Sequence, residues 1–238
     1  MITISQPEVI LRKQLASDDD VIEAMLVSTA GDEIKQLWED EGITGIAGRI
    51  RFLMQNRHGS PFEHNYFKFY VRAPIAVFRE WHRHRIGFSY NEESGRYSEM
   101  KPRFYIPPPE RPLIQQGKPG AYIMMPGTPE LYNEMKATMV TSFREAYDHY
   151  QSLLSMGIAR EVARGVLPVY LMSSMYVTCN ARSLMSFLSL RTDEPDSTFP
   201  SKPMWEIDVP CARACEAAFA AAMPVTYELW NKNGRVAP

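Results

Sequence analysis

The sequence predicts an α+β fold, a single domain over residues 1–238 with a central antiparallel sheet flanked by helices. Three observations predict it. Segments with helical spacing of apolar residues outnumber those that alternate. The strand-like segments are separated by several helical ones. No regular βαβ series or internal repeat runs through the 238 residues. Composition agrees with a soluble globular protein, at 45% hydrophobic and 23% charged residues with a formal net charge of -2. That charge argues against a generic nucleic-acid binder, although a local basic cluster can still hold a small anion. The chain is long enough to bury a substantial core.

The opening segment MITISQPEVILRKQLASDDD lacks a basic stretch followed by a long apolar run, so it does not read as a signal peptide. No stretch reaches the roughly 18 apolar residues of a membrane span. The three cysteines, Cys179, Cys211 and Cys215, imply no disulfide framework, and a cytoplasmic protein is the expectation. Cys211 and Cys215 stand four apart in an Ala-rich helical pattern, with no His or further Cys to complete a tetrahedral metal set.

Over residues 31–57, Leu37, Ile43, Ile46, Ile50, Leu53 and Met54 form apolar stripes at helical spacing, with a break near Gly42. Gly42, Gly45 and Gly48 follow no strand, so they read as turns and close packing rather than a dinucleotide fingerprint. Residues 65–72, NYFKFYVR, alternate aromatic and β-branched side chains with polar ones, as a strand does. Pro74 sits where a helix begins, and residues 75–84 continue it. Residues 86–105 carry Gly87, Gly95 and Pro102 without a sustained period and predict an ordered loop with short extended pieces. The prolines of 107–129, Pro119 among them, predict a surface excursion. Residues 130–156 predict a long amphipathic helix, 158–166 a short one ended by Gly165 and Pro168, and 169–178 a buried extended run. Asn180 caps a helix running through Leu190, 193–203 is a loop with prolines, and 204–233 is mainly helical.

The segment 79–103, REWHRHRIGFSYNEESGRYSEMKPR, carries most of the chemistry. Six bases (Arg79, Arg83, Arg85, Arg96, Lys101, Arg103) stand against four acids (Glu80, Glu92, Glu93, Glu99), with His82 and His84 interleaved. Arginine offers planar, bidentate donors to phosphate and to uracil-like carbonyls. The Ser-Gly-Arg turn adds a hydroxyl and a backbone N–H that no side chain obstructs. Two readings stand side by side: a salt-bridge or subunit-contact network, and a site for a nucleotide phosphate with a polar heterocycle. At i and i+2 of a helix His82 and His84 point apart, which does not suit a metal pair.

Arg83-His84-Arg85, followed by Ser94 after eight intervening residues, resembles the signature of the flavin-dependent thymidylate synthases in its longer variant, with the extra residue around Ile86 to Phe88. His58 through His64 resembles that family's segment before the first core strand. Arg160 through Pro168 resembles its short helix, and Asn180 through Arg191 its last ligand-binding helix. These blocks stand in the family's order over about residues 58–192.

The resemblance implies an enzyme that methylates dUMP to dTMP, with FAD as cofactor and 5,10-methylenetetrahydrofolate and NADPH as co-substrates. It implies a homotetramer with sites at subunit interfaces, and no metal, nucleic-acid polymer or membrane as partner. For FAD, the residues matching the family's contacts are Ser60, Arg83, His84, Arg85, Glu92, Asn180, Arg182 and Ser186, the last standing where relatives often have Asn or His. For dUMP they are Glu80, Arg83, Glu92, Glu93, Ser94, Gly95, Arg96, Arg164 and Arg191. Glu80 takes the place of a polar residue that is often Gln, and Arg164 matches a contact supplied by a neighbouring subunit. Arg191, the catalytic residue, matches the arginine that favours ionisation of uracil N3. A nearby fixed cation stabilises an anion by about 1–3 pKa units, and an electron-richer ring is a better nucleophile at C5.

Asn180 and Arg191 are eleven residues apart. On one helix that is roughly 16 Å along the axis, so they serve separate groups. Arg182, in the first turn, opposes the helix macrodipole, so an acidic side chain or a ligand should hold it. Ser94 has no evident activating base and the nucleotide blocks contain no cysteine, so no protein nucleophile is expected. The rival readings are a different flavoprotein or nucleotide-modifying enzyme on the same scaffold, and a non-catalytic nucleotide- or RNA-binding module.

Overall fold

The structure, a computed structural model, describes residues 1–33, 45–118 and 122–238. Its elements are β1 (Thr3–Ile4), β2 (Glu8–Leu15), α1 (Asp18–Ala30), α2 (Ile46–Gln55), β3 (Tyr66–Pro74), α3 (Ile75–Trp81) and β4 (Phe88–Glu92), then β5 (Arg103–Phe104), β6 (Ile114–Gln116), β7 (Ile123–Met125), α4 (Pro129–Ser155) and α5 (Arg160–Ala163). The chain ends with β8 (Met172–Cys179), α6 (Ala181–Arg191), α7 (Trp205–Ile207), α8 (Arg213–Ala222) and α9 (Pro224–Lys232). Helices and strands are mixed around an antiparallel sheet, as the α+β reading requires. Contacts divide the residues into two compact units.

The larger unit comprises Glu8–Arg72, Arg79–Glu92 and Ser174–Pro238. Its sheet runs in the order β2-β3-β8-β4, with β2 antiparallel to β3 and β4 antiparallel to β8. The alternation in β3 works as a strand pattern should: Phe67, Phe69 and Val71 are buried while their neighbours are not. Phe67 stacks on Phe69 at 6.1 Å and meets Phe219 of α8 edge-on at 6.2 Å, which seats that helix on the sheet. In α2, Ile50, Leu53 and Met54 lie at i, i+3 and i+4 and are all buried. Full burial of such a side chain contributes about 1.5–3 kcal/mol. Together they outweigh the absent side-chain cap at Gly45 and the interior Gly48, each costing about 1 kcal/mol. The expectations for Leu37, Gly42, Ile43 and Pro119 fall outside the described residues.

The acidic run Asp18–Asp20 has a structural role. Ser17 accepts from the Asp20 amide at 3.1 Å and caps α1. The buried Asp18 carboxylate accepts from the amides of Val225 and Thr226 at 2.9 and 2.8 Å, capping α9 from across the chain. Between α7 and α8, Asp208–Ala212 form a π-helical turn. Pro210 lies inside it, and its missing N–H breaks the i→i−4 ladder there.

The smaller unit comprises Met1–Pro7, Ala73–Phe78 and Glu93–Ser173. Its core gathers Met100, Phe104, Ile106, Phe143, Tyr150, Ala163 and Leu171. The long helix α4 starts as predicted, with the Thr128 hydroxyl accepting from the Leu131 amide at 3.2 Å and Pro129 in its first turn. Tyr147 and Tyr150 of α4 hold the Met100 backbone: Tyr150 Oη accepts from its amide at 3.1 Å and Tyr147 Oη donates to its carbonyl at 3.2 Å. The proline-rich excursion contains a β6–β7 hairpin. Among the described residues no helix is long and apolar enough to cross a membrane.

The segment 8–15, to which the sequence assigns no element, is the strand β2, and one of the short extended pieces expected within 86–105 is the strand β4. One expectation changes. The helix predicted over 75–84 ends at Trp81, so His82 and His84 do not lie on it. The Tyr90 hydroxyl donates to the carbonyls of Trp81 (3.1 Å) and His84, a tertiary bond that takes the place of further helical ones.

Candidate active site

At the end of α6, Arg191 is the centre of a charged cluster in the larger unit. Its Nη1 donates to Glu80 Oε2 at 2.8 Å, its Nη2 to the Glu80 carbonyl at 3.1 Å, and its Nε to His84 Nε2 at 2.9 Å. A guanidinium carries five N–H donors. Among the described residues three are therefore used, which leaves one N–H on each terminal nitrogen. The Arg191 side chain is only 12% exposed, whereas Arg83, 3.5 Å from Glu80, is 70% exposed. Burial pushes the Arg191 guanidinium down from its ordinary value, while Glu80 pulls it up and Arg83 adds to the fall.

His84 accepts from Arg191 through Nε2, so its proton sits on Nδ1. Burial first, then Arg191 and Arg83, lower its pKa from 6.5 to about 4. Between these values the unfolded chain binds a proton that the native site refuses. The stability this site contributes is complete above about pH 6.5 and is lost as pH falls towards about 4. The imidazole packs edge-on to Phe187 of α6 at 5.0 Å, and Phe187 stacks on Trp81 at 4.8 Å. Burial, with Cys179 adding, raises the Tyr90 phenol, so the hydroxyl that clamps Trp81 and His84 keeps its proton.

The turn between Arg85 and β4 is tight. Ile86 is exposed, and Gly87 takes a left-handed φ of +68°. A Cβ there would lie 2.1 Å from Ser183 Oγ, whose hydroxyl donates to the Ile86 carbonyl at 2.9 Å. Gly87→Ala is expected to lower stability by about 2–3 kcal/mol, from backbone strain and overlap together. A urea unfolding midpoint equal to wild type would show that the turn relaxes freely.

At the other end of α6, Asn180 is the cap that was predicted: its Oδ1 accepts from the Ser183 amide at 2.9 Å. The partner demanded for Arg182 is Glu63, at 2.6 Å, joined by the Pro238 carbonyl at 2.6 Å. Ser60 is exposed and opens the turn Ser60–Glu63 that supplies this acid. Ser186 lies on the outer face of α6 and lines a cavity of about 280 Å³ with Ser189, Leu190, Phe199 and the segment 234–237. Arg85 is exposed, and Glu92 ends β4.

The smaller unit holds a second cluster. Glu93 and Ser94 lead into a turn in which Ser94 Oγ accepts from the Arg96 amide at 3.3 Å. Arg96 Nε pairs with Glu161 at 2.8 Å, and both side chains are more than half exposed. Arg164, in the turn Arg164–Val166 after α5, packs on Gly95, where a Cβ would meet its Cδ at 3.2 Å and Met100 Sδ at 2.8 Å. Glycine is what allows that approach.

Several contributors escaped the sequence reading. Glu63 and Glu161 lie inside segments that carry the family resemblance, but nothing in the sequence pairs either with a particular arginine. Behind Thr192, the residue after Arg191, lies a buried ionic group. Arg235 Nη2 donates to Thr192 Oγ1 at 3.0 Å, Arg213 Nη2 donates to the Asp193 carbonyl at 3.0 Å, and Asp208 accepts from the Asp193 amide at 3.1 Å. Arg235 pairs with Glu216 at 2.7 Å, and both are over nine-tenths buried.

Comparison with known proteins places these clusters in context. The family model described as thymidylate synthase complementing protein matches residues 10–225. A flavin-dependent thymidylate synthase from Streptomyces coelicolor is 53% identical over 229 residues, 96% of this chain and 92% of the relative. One from Tropheryma whipplei is 49% identical over 237 residues, 99% of this chain and 96% of the relative. The UMP/dUMP methylase PolB from Streptomyces cacaoi, bound with 5-Br UMP, matches with a TM-score of 0.91 at 44% identity over 100% of both chains. With 5-Br dUMP bound it matches with a TM-score of 0.92 at 46% identity, again over 100% of both chains. The chain belongs to the flavin-dependent thymidylate synthase family.

Proposed function

We propose that this enzyme uses FAD to convert dUMP to dTMP, taking its one-carbon unit from 5,10-methylenetetrahydrofolate and its reducing electrons from NADPH. What carries this reading is Arg191: a nearly buried guanidinium, fixed by Glu80 and a neutral His84, with an N–H left on each terminal nitrogen. Its charge and its remaining donors suit a uracil ring that becomes anionic at N3.

The donor set also suits FAD. A diphosphate needs cations, and an isoalloxazine edge needs N–H donors. The exposed Arg83 and Arg85, Arg182 at the start of α6, and the cavity at Ser186 meet these needs. Ser60, Arg83, His84, Arg85, Glu92, Asn180, Arg182 and Ser186 would hold it, with His84 offering its Nδ1–H. When bound, FAD supplies the hydride that, drawn from NADPH, completes the new methyl group.

For dUMP, Glu80, Arg83 and Arg191 serve the base, while Glu92, Glu93, Ser94, Gly95, Arg96 and Arg164 form the surrounding grip. Gly95, Arg96 and Arg164 are packed together, so they act on a nucleotide as one group, from whichever protomer supplies them. Exposed pairs such as Arg96–Glu161 are worth about 0–1 kcal/mol. Exchanging Glu161 for a phosphate dianion is therefore cheap. Sites formed between the subunits of a homotetramer fit this division of contacts.

The carbon–carbon bond needs no protein nucleophile in this reading. Cys179, Cys211 and Cys215 are all buried, and burial pushes each thiol up, away from the reactive thiolate. The test is a visible spectrum of the purified protein, followed by dTMP formation from dUMP, methylenetetrahydrofolate, NADPH and FAD. A yellow protein is expected, with Cys179→Ala retaining most of the activity. A colourless protein that binds polynucleotide with steep salt dependence would replace this reading with the binding-module one. A dead Cys179→Ala protein that still holds dUMP and FAD would restore a cysteine mechanism.

A further inference from the structure

The geometry of Glu80 gives its carboxylate a role that an amide cannot fill. Its side chain and its own carbonyl take two of the three Arg191 donors in use, at 2.8 and 3.1 Å. It also lies 3.5 Å from Arg83. The charged or titratable groups that face Arg191 are Glu80, Arg83 and His84. Past the helix end, Asp193 and Glu194 are occupied by Lys202 and Arg213. Glu80 is thus the acid set directly against the guanidinium.

We infer that Glu80 is a positioning residue and counter-charge for Arg191: it fixes the orientation of the guanidinium and, by its negative charge, makes the bound uracil harder to ionise than Arg191 alone would. This rests on the nucleotide reading given above. Two acceptors on one residue, with His84 as the third, leave the guanidinium little rotational freedom. The same carboxylate lies next to any anion the guanidinium receives, and like charges at such range oppose each other. Substituting Gln keeps an acceptor for Nη1 and leaves the backbone acceptor untouched. It removes the charge and nothing else of consequence.

The experiment uses flavin-loaded protein and 5-fluoro-dUMP, whose fluorine makes N3 more acidic than in dUMP and gives a resonance free of protein background. The pH midpoint of the bound fluorine signal is measured for wild type, Glu80→Gln and Glu80→Asp. The Gln protein is expected to ionise the nucleotide about one pKa unit lower than wild type, a tenfold shift in the ionised ratio at fixed pH. The Asp protein, which keeps the charge, is expected within about 0.3 unit of wild type. A role in folding alone would move none of these midpoints. A Gln midpoint equal to or above wild type overturns the inference while leaving the nucleotide site intact. Absence of any bound fluorine signal in wild type overturns the nucleotide reading itself, and this inference with it.

Discussion

Arg191→Ala is expected to lower the turnover number for dTMP by at least about 100-fold, while the protein stays folded and keeps its flavin. Removing one preorganised donor from a developing charge typically costs about 10²–10³ in rate. Arg191 supplies more than one donor and a full charge, so the loss should reach or exceed that range. The fold should tolerate the change. Glu80 still has Arg83 at 3.5 Å and is about a third exposed, so it is not stranded in the core. His84 loses an N–H donor but is only part-buried, so water can take the place that the guanidinium leaves. Turnover, flavin absorbance and a thermal unfolding curve on the same preparation check all three statements. Activity within tenfold of wild type would remove Arg191 from the chemistry.

Arg235→Ala should cost about 3 kcal/mol of stability, the low end of the range for breaking a buried pair. Glu216 loses its partner at 2.7 Å in a place where its side chain is 8% exposed. The loss stays at the low end because Arg213 remains 3.0 Å from the other carboxylate oxygen. The guanidinium also lies 4.2 Å from the Trp230 ring centre, and that cation–π contact goes as well. Adding Glu216→Gln in the same chain removes the stranded charge and should recover part of the loss. Urea midpoints for the two single variants and the double variant give the coupling directly. A midpoint for Arg235→Ala within experimental scatter of wild type would mean that water reaches Glu216 as readily as Arg235 does.

Elements with a local signature were legible from the chain. The alternation of Tyr66–Arg72, the cap at Asn180, and the punctuation at Gly165 and Pro168 each act within a few residues. Segment 8–15 was not legible as a strand, because Val9, Ile10 and Leu11 form a run rather than an alternation. Of β4 only its extended character was legible, and its pairing with β8 was not. The helix end at Trp81 is set by Tyr90, which bonds back to it across the turn. In the site, the residue types were readable and the pairings were not. Arg191 meets Glu80 across 111 positions and Arg182 meets Glu63 across 119. The macrodipole argument did foresee that Arg182 needs a partner, because that demand arises within one helical turn.

Helix α6 starts at a capped Asn180 and stops at a braced Arg191, so its length behaves like the spacing of teeth on a key. Each residue added to an α-helix advances it by about 1.5 Å and turns it by about 100°. One inserted residue would swing the terminal guanidinium away from Glu80 and His84 altogether, and a further one would carry it towards the opposite side. The exposed side chains of this helix can change size without moving either end, whereas its residue count cannot change without parting Arg191 from both of its partners.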